Sequence, residues 1–513
     1  MRKKLISVIL VAGMTVGLVT GCGQTENASS STAQGSEETQ KSSIVEKEEQ
    51  NKEPIIISWY LPKVDDDMAQ EEEVEEAINE VIFKETGAKV DFHFIDQAAY
   101  TEKMSTIIQA GEEFDICFTC SWLNPFAGLA QGGAFADISG MLEEYAPDIL
   151  AKTLDYAWKG VTINGAVYAI PGQSPYASTT SNVVKRDLVD KYDFDYKNVK
   201  SLRDFEPFFE LLIENEPGIT PALIIAGGEL YPFVSDRYTD NSVPGLIFDE
   251  ELQEFVYELD ARSEHYEIMY DWYQKGYIAK DAAAKTAYYD EAISGKYAVM
   301  MCTGSYDPNE EKSSAAYGFD CAEICVGTSN VVTGNVIGAM NAISVTSKNP
   351  EKALEVLNLI WSDPELSNTI AYGIEGINYT VDEERTAEIG SKSIIPQSGD
   401  EQTWAIWHNW VGPLWDQWDS TWNRKDALAA MDEANRNGAP SSTLGYFFDS
   451  TGLETEVAAV SATIQELKPI LSTGSMPDYD QYMADAKAKL EQNGLDKIRE
   501  EANKQYKEWK AGQ

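Results

Sequence analysis

The sequence predicts an α/β fold with a helical C-terminal tail. Three observations predict it. Strand and helix patterns alternate between residues 55 and 118, they alternate again between about 180 and 330, and residues 453–509 carry helical patterns. At roughly 150 residues per domain, a chain of 513 residues holds about three units, or two large ones. With 43% hydrophobic residues, it can bury sizeable cores.

The elements follow in order. Residues 55–59 form a short apolar strand. From 69 to 85, Val74, Ala77, Ile78, Val81 and Ile82 recur at helical spacing, and Gly87 ends the pattern. Residues 89–95 set Val90, Phe92 and Phe94 against Asp91 and His93, the period of a strand. A helix carrying Met104, Ile107 and Ile108 leads to a buried strand at 114–118. This is a doubly wound lobe, whose ligands sit beyond the carboxyl ends of its strands. Trp59 and Tyr60, with Ser121 and Trp122, are therefore expected on a common rim. In the second section, residues 204–214 and 250–258 read as helices, and 297–302 and 321–327 as strands. Residues 350–361 form a strong amphipathic helix. The tail is helical with breaks expected at Pro469 and at 474–477.

The N-terminus has the organisation of a secreted lipoprotein. Arg2, Lys3 and Lys4 precede an apolar run from Leu5 to Leu18 that is short for a bilayer span. Val19-Thr20-Gly21 before Cys22 has the small-residue pattern of a bacterial lipobox. Residues 1–21 are read as a signal peptide, and 22–53 as a lipidated Cys22 followed by a disordered polar tether. No other stretch is long and apolar enough to span a membrane.

A formal charge of −45 excludes nucleic-acid binding, which needs clustered Lys and Arg. With only His93, His265 and His408, multi-histidine metal chemistry has no material. Beyond Cys22 there are Cys117, Cys120, Cys302, Cys321 and Cys325, an odd number. Cys117 and Cys120 have redox or zinc spacing. On a strand, however, they would lie roughly 10 Å apart, too far for a disulfide. Buried free thiols are the expectation, with a disulfide or a metal site as alternatives. The G-x-S-x-G, H-E-x-x-H and P-loop patterns do not occur. Asp190, Asp193 and Asp195 lack the glycine and the glutamate of a calcium loop. No catalytic residue, metal or cofactor is expected.

A set of short motifs, in order, is more specific. These are Phe114-Asp115-Ile116, Gly132-Gly133-Ala134-Phe135-Ala136-Asp137-Ile138 and Asn164-Gly165-Ala166-Val167-Tyr168-Ala169-Ile170-Pro171. They continue with Ser294-Gly295-Lys296-Tyr297-Ala298-Val299-Met300 and the run from Ile343 to Ala353. Together they resemble the family 1 extracellular solute-binding proteins of ABC importers. Tyr372-Gly373-Ile374-Glu375-Gly376-Ile377-Asn378-Tyr379, Leu444-Gly445-Tyr446-Phe447-Phe448-Asp449, Leu471-Ser472-Thr473-Gly474 and Gln505-Tyr506-Lys507-Glu508-Trp509 resemble one lipoprotein branch of that family.

The resemblance covers about residues 54–513. It implies a two-lobe periplasmic-binding-protein-like fold that closes on ligand in an interlobe cleft. Residues 54–172 plus 340–375 would form the N-terminal lobe, and 173–339 plus 376–513 the C-terminal lobe. The implied function is a monomeric receptor, lipid-anchored to the extracytoplasmic face of the cell membrane. It would capture an oligosaccharide and deliver it to ABC permease subunits. A peptide-binding ABC receptor and an extracellular glycoside hydrolase are the alternatives.

Six of the twelve tryptophans fall between 404 and 422. Trp404, Trp407 and Trp410 stand among Gln402, His408 and Asn409 and are candidate sugar platforms. Pyranose C–H faces stack on aromatic rings, and nearby amides and carboxylates take the hydroxyls. Trp415, Trp418 and Trp422 have helical spacing and read as a packing stripe. Gln173 and Tyr176 near the first crossing, Tyr231 and Tyr306 from the second lobe, and Glu375 at the second crossing complete the candidate set.

Overall fold

The structure is a computed structural model. It describes residues 53–513 except 64–67, 69, 178–179, 228–236, 302–309, 327–329, 398–403 and 422. The signal peptide, Cys22 and the tether lie outside the described residues, as do Tyr231, Tyr306, Cys302 and Trp422.

The first lobe is built as its alternation predicts: β1 (Ile55–Pro62), α1 (Glu71–Thr86), β2 (Ala88–Ile95), α2 (Gln97–Ala110) and β3 (Ile116–Thr119). Val74, Ile78 and Ile82 are the buried face of α1, and three glutamates in its first turn complement the helix dipole. Gly87 caps the helix in the left-handed region at φ 71°. The strand order is β2-β1-β3, then Met340–Ile343, then Ile170–Pro171. β1 pairs in parallel with both neighbours, Trp59 standing opposite Phe92 and Ile116.

The expected helix at 350–361 is α3 (Pro350–Ser362). The six apolar residues expected on its inner face, Ala353, Leu354, Val356, Leu357, Ile360 and Trp361, are buried in the first core. Trp404, Ile406, Trp410 and Val411 join the same core. The expected division gave everything after 376 to the C-terminal lobe, and these four side chains pack instead with residues of the first sheet and α3. A small sheet (Tyr379–Val381, Ser393–Pro396, Asp419–Ser420) and α4 (Lys425–Asn437) follow.

The second sheet runs Cys321–Val326, Thr180–Lys185, Tyr297–Met300, Thr220–Leu223. Phe205, Phe208, Phe209 and Trp272 fill its core. Residues 250–258 are not the expected helix. Leu246–Asp249 and Glu254–Tyr257 form an antiparallel hairpin. The Asp249 carboxylate accepts the Glu251 and Leu252 N–H groups, and Gln253 takes φ 55°, which closes the turn. Phe255 and Tyr257 are then buried at period two.

This hairpin packs on α5 (Glu454–Thr473), α6 (Tyr479–Gln492) and α7 (Leu495–Ala511). The expected break at Pro469 does not occur, and α5 runs through it to Gly474. The freed carbonyl belongs to Gln465, an exposed residue that water can reach. Among the described residues no helix is long and apolar enough to cross a membrane.

The chain leaves the first sheet at Pro171 and enters the second at Thr180. It leaves again at Val326 and returns at Met340. These two crossings are braced together. Ala177 bridges Val331, and the Asn335 amide donates to the Tyr176 carbonyl at 2.9 Å.

Candidate functional site

β1 and β3 run in parallel, so their carboxyl ends share one edge of the first lobe. Just past β3 the chain turns on itself. Cys120 N–H donates to Leu123 O, the Asn124 amide donates to Phe118 O, and the Thr119 hydroxyl donates to Asn124 O. The turn is satisfied from within and leaves Trp122 52% exposed. Ser121 N–H donates to Ile337 O of the second crossing at 2.9 Å, so Trp122 stands beside that crossing.

Trp407 is 51% exposed, on a turn that packs against the other crossing. The turn that carries it lies on residues 172–173: Gln173 N–H donates to Gly412 O. Gly172 comes so close that a Cβ there would meet Asn409 O at 2.2 Å. Beneath Trp407, at 4.8 Å between ring centroids, lies the buried Trp410, which contacts Phe118 at 5.1 Å. The Asn341 amide ties this bed together by donating to Trp410 O and accepting the Trp59 indole N–H. Two tryptophans thus project from one lobe, each next to an interlobe crossing.

The family model for bacterial extracellular solute-binding proteins matches residues 66–365. The chain belongs to this family. A domain of unknown function, DUF3502, matches residues 442–511, the segment that forms α5 to α7. A carbohydrate ABC transporter substrate-binding protein of Streptococcus pneumoniae is 28% identical over 473 residues, covering 89% of this chain and 91% of that one. The crystal structure of the N-glycan transport solute-binding protein NgtS from S. pneumoniae superposes with TM-score 0.76 at 25% identity, covering 89% and 99% of the two chains. The structure of NgtS with Man5GlcNAc gives 0.64 at 25% identity, covering 90% and 99%. Members of this family are binding proteins of ABC transporters, and this solute-binding protein is not an enzyme.

The other described candidates, Trp122 and Trp407 apart, are engaged with neighbours within the solute-binding protein. Trp59, Trp404 and Trp410 are buried, not on the rim. The Trp59 and Trp404 indoles donate internally, to Asn341 and to Ile370 O, which lets them bury fully. Gln173 is buried with both ends of its amide engaged: Oε1 accepts Trp415 N–H and Nε2 donates to Lys152 O. Tyr176 is buried and donates to Gly172 O, and burial pushes its phenol well up. Tyr60 is half-buried and stacked on His93 at 4.4 Å. Glu375 is exposed and paired with Lys392 at 3.4 Å, in a turn of the small sheet and not at a crossing. Lys392 in turn sits over the Trp418 ring at 3.8 Å. Trp415 and Trp418 do not share a helix, because a 3₁₀ turn at Leu414–Asp416 precedes the strand Asp419–Ser420.

Sequence reasoning missed Asn341, and its signal was there: an amide inside the apolar strand Met340-Asn341-Ala342-Ile343 must find partners. His408, expected as a polar companion of the tryptophans, is buried beside Tyr372. Burial, aided by Lys425, pushes its imidazole down to about 3, so it is neutral. Cys117, Cys120 and Cys321 are buried free thiols and Cys325 is an exposed one. Burial pushes the Cys120 thiol up to about 11. Among the described residues no three His, Cys, Asp or Glu side chains gather as a metal site.

Proposed function

We propose that this solute-binding protein captures an oligosaccharide between its lobes and hands it to ABC permease subunits. It acts as a monomer held to the extracytoplasmic face by a lipid on Cys22. The observation that carries the ligand class is the exposed pair Trp122 and Trp407, each beside a crossing. A half-exposed indole is an apolar plate for a pyranose face, and mixed aromatic and polar surfaces suit glycans. The carbohydrate transporter relative and the Man5GlcNAc complex of NgtS support the same class. The small residues before Cys22 and the polar tether behind it support the anchor.

The test is a calorimetric titration with Man5GlcNAc, other neutral oligosaccharides and a peptide library, with tryptophan fluorescence recorded in parallel. One saturable oligosaccharide site that shifts the fluorescence supports the reading. Binding of peptides and of no oligosaccharide overturns it. For the anchor, Cys22→Ser abolishes incorporation of labelled fatty acid; a variant that still incorporates it removes Cys22 from the proposal.

A further inference from the structure

The inner face of α4 is apolar, with Ala427, Leu428 and Met431 buried. The next residue on that face is Asn435, which is completely buried. An amide there is costly unless both ends are paired. Both are paired to the first crossing. Asn435 Nδ2 donates to Ser174 O at 2.7 Å, and its Oδ1 accepts the Ala177 N–H at 2.9 Å. The side chain offers the crossing one acceptor and one donor, as a neighbouring strand would.

Several segments that link the lobes meet around Asn435. Its carbonyl accepts the Tyr156 hydroxyl at 3.0 Å, and Tyr156 stands on the first-lobe helix Asp155–Gly160. Beyond it, Ala439–Pro440 pair in parallel with Asn330–Val331 of the second crossing. Ser441 N–H then donates to Val331 O at 2.9 Å, and Val331 bridges back to Ala177. One buried amide therefore stands where both crossings, the first lobe and the link to the helical module meet.

We propose that Asn435 is a positioning residue that clasps the crossings to the first lobe and thereby sets the ligand-free interlobe angle. This rests on the two-lobe receptor reading above. Asn435 acts on affinity without touching ligand: if the binding-competent fraction falls tenfold, apparent affinity falls tenfold.

The test is solution scattering of the ligand-free full chain, its Asn435→Ala variant and its Asn435→Asp variant. Near-UV circular dichroism confirms native packing. Asn435→Ala broadens the pair-distance distribution and raises the radius of gyration. Asn435→Asp, which keeps the acceptor for Ala177 and loses the donor to Ser174, gives a smaller change of the same sign. It decides the matter if Asn435→Ala does not fold. A folded variant whose profile superposes on the parent overturns the proposal. No glycan enters this experiment, so its failure and a failure of the oligosaccharide reading are told apart.

Discussion

Trp407 and Trp410 lie one turn of chain apart and have opposite tasks. Trp407 is half exposed, and Trp410 is buried against Phe118 with its carbonyl held by Asn341. Trp407→Ala is predicted to weaken oligosaccharide binding by about 1–3 kcal/mol with little change in melting temperature. Trp410→Ala is predicted to lower stability by about 3–5 kcal/mol in urea titrations. If Trp407→Ala melts as early as Trp410→Ala and binds normally while folded, the platform is wrong. The sequence showed the tryptophan cluster, but which ring faces out depends on Asn341, a residue of a distant strand. Spacing along the chain carries no such information. His408 adds a pH dependence. Burial holds its pKa at about 3 in the folded state, against about 6.5 unfolded. Below about 6.5 the unfolded chain takes a proton that the folded one refuses. Stability is thus unaffected above that pH and falls as pH drops, by about 1.4 kcal/mol per pH unit. His408→Gln removes this part, so the urea midpoint falls less between pH 7 and pH 5 in the variant than in the parent. Equal falls would show that His408 is protonated in the fold.

Two helix ends use the same backbone torsion in different surroundings. Gly87 ends α1 at φ 71° with nothing near the place of a Cβ. Gly474 ends α5 at φ 66°, where a Cβ would stand 2.1 Å from the Met269 carbonyl group. Gly87→Ala therefore carries the torsional cost alone, about 1 kcal/mol. Gly474→Ala adds a collision with backbone and is predicted to cost about 2–4 kcal/mol. Urea titration of both variants checks the difference, and equal losses would mean that α5 does not dock on Met269. Elements with a strict period and a clear stop were legible: β2 from its alternation, α1 from its stripe and Gly87, α3 from six buried apolar residues. The hairpin at 246–257 was not legible as such. Leu252, Phe255 and Val256 among acidic residues imitate a helix, and only the Asp249 side chain in its turn decides otherwise. Pro469 misled because a helix can carry an interior proline at the cost of one hydrogen bond, here to the carbonyl of the exposed Gln465.

At the scale of the whole molecule, two crossings connect the two main sheets, and the exposed tryptophans stand beside them. The family was legible from the motif series, whereas the packing of residues 404–411 was not, because it rests on Trp361 and Phe118 in the first core. Similarity to NgtS falls from TM-score 0.76 to 0.64 between two structures of one protein that cover nearly the same share of this chain. A change in interlobe angle is the motion that the proposed capture of ligand requires. Binding can drive such a change only through differential affinity. Converting a 1:99 mixture of closed and open forms to 99:1 takes about 5.5 kcal/mol of preference for the closed form. In the proposed function, two indoles on one lobe give the ligand a first foothold, and the second lobe adds its contacts only on closure. Saturating oligosaccharide is therefore predicted to lower the radius of gyration in solution scattering. Trp407→Ala shifts the concentration at which this happens but not the compact end state. An unchanged profile at proven saturation would mean that the lobes do not close on ligand.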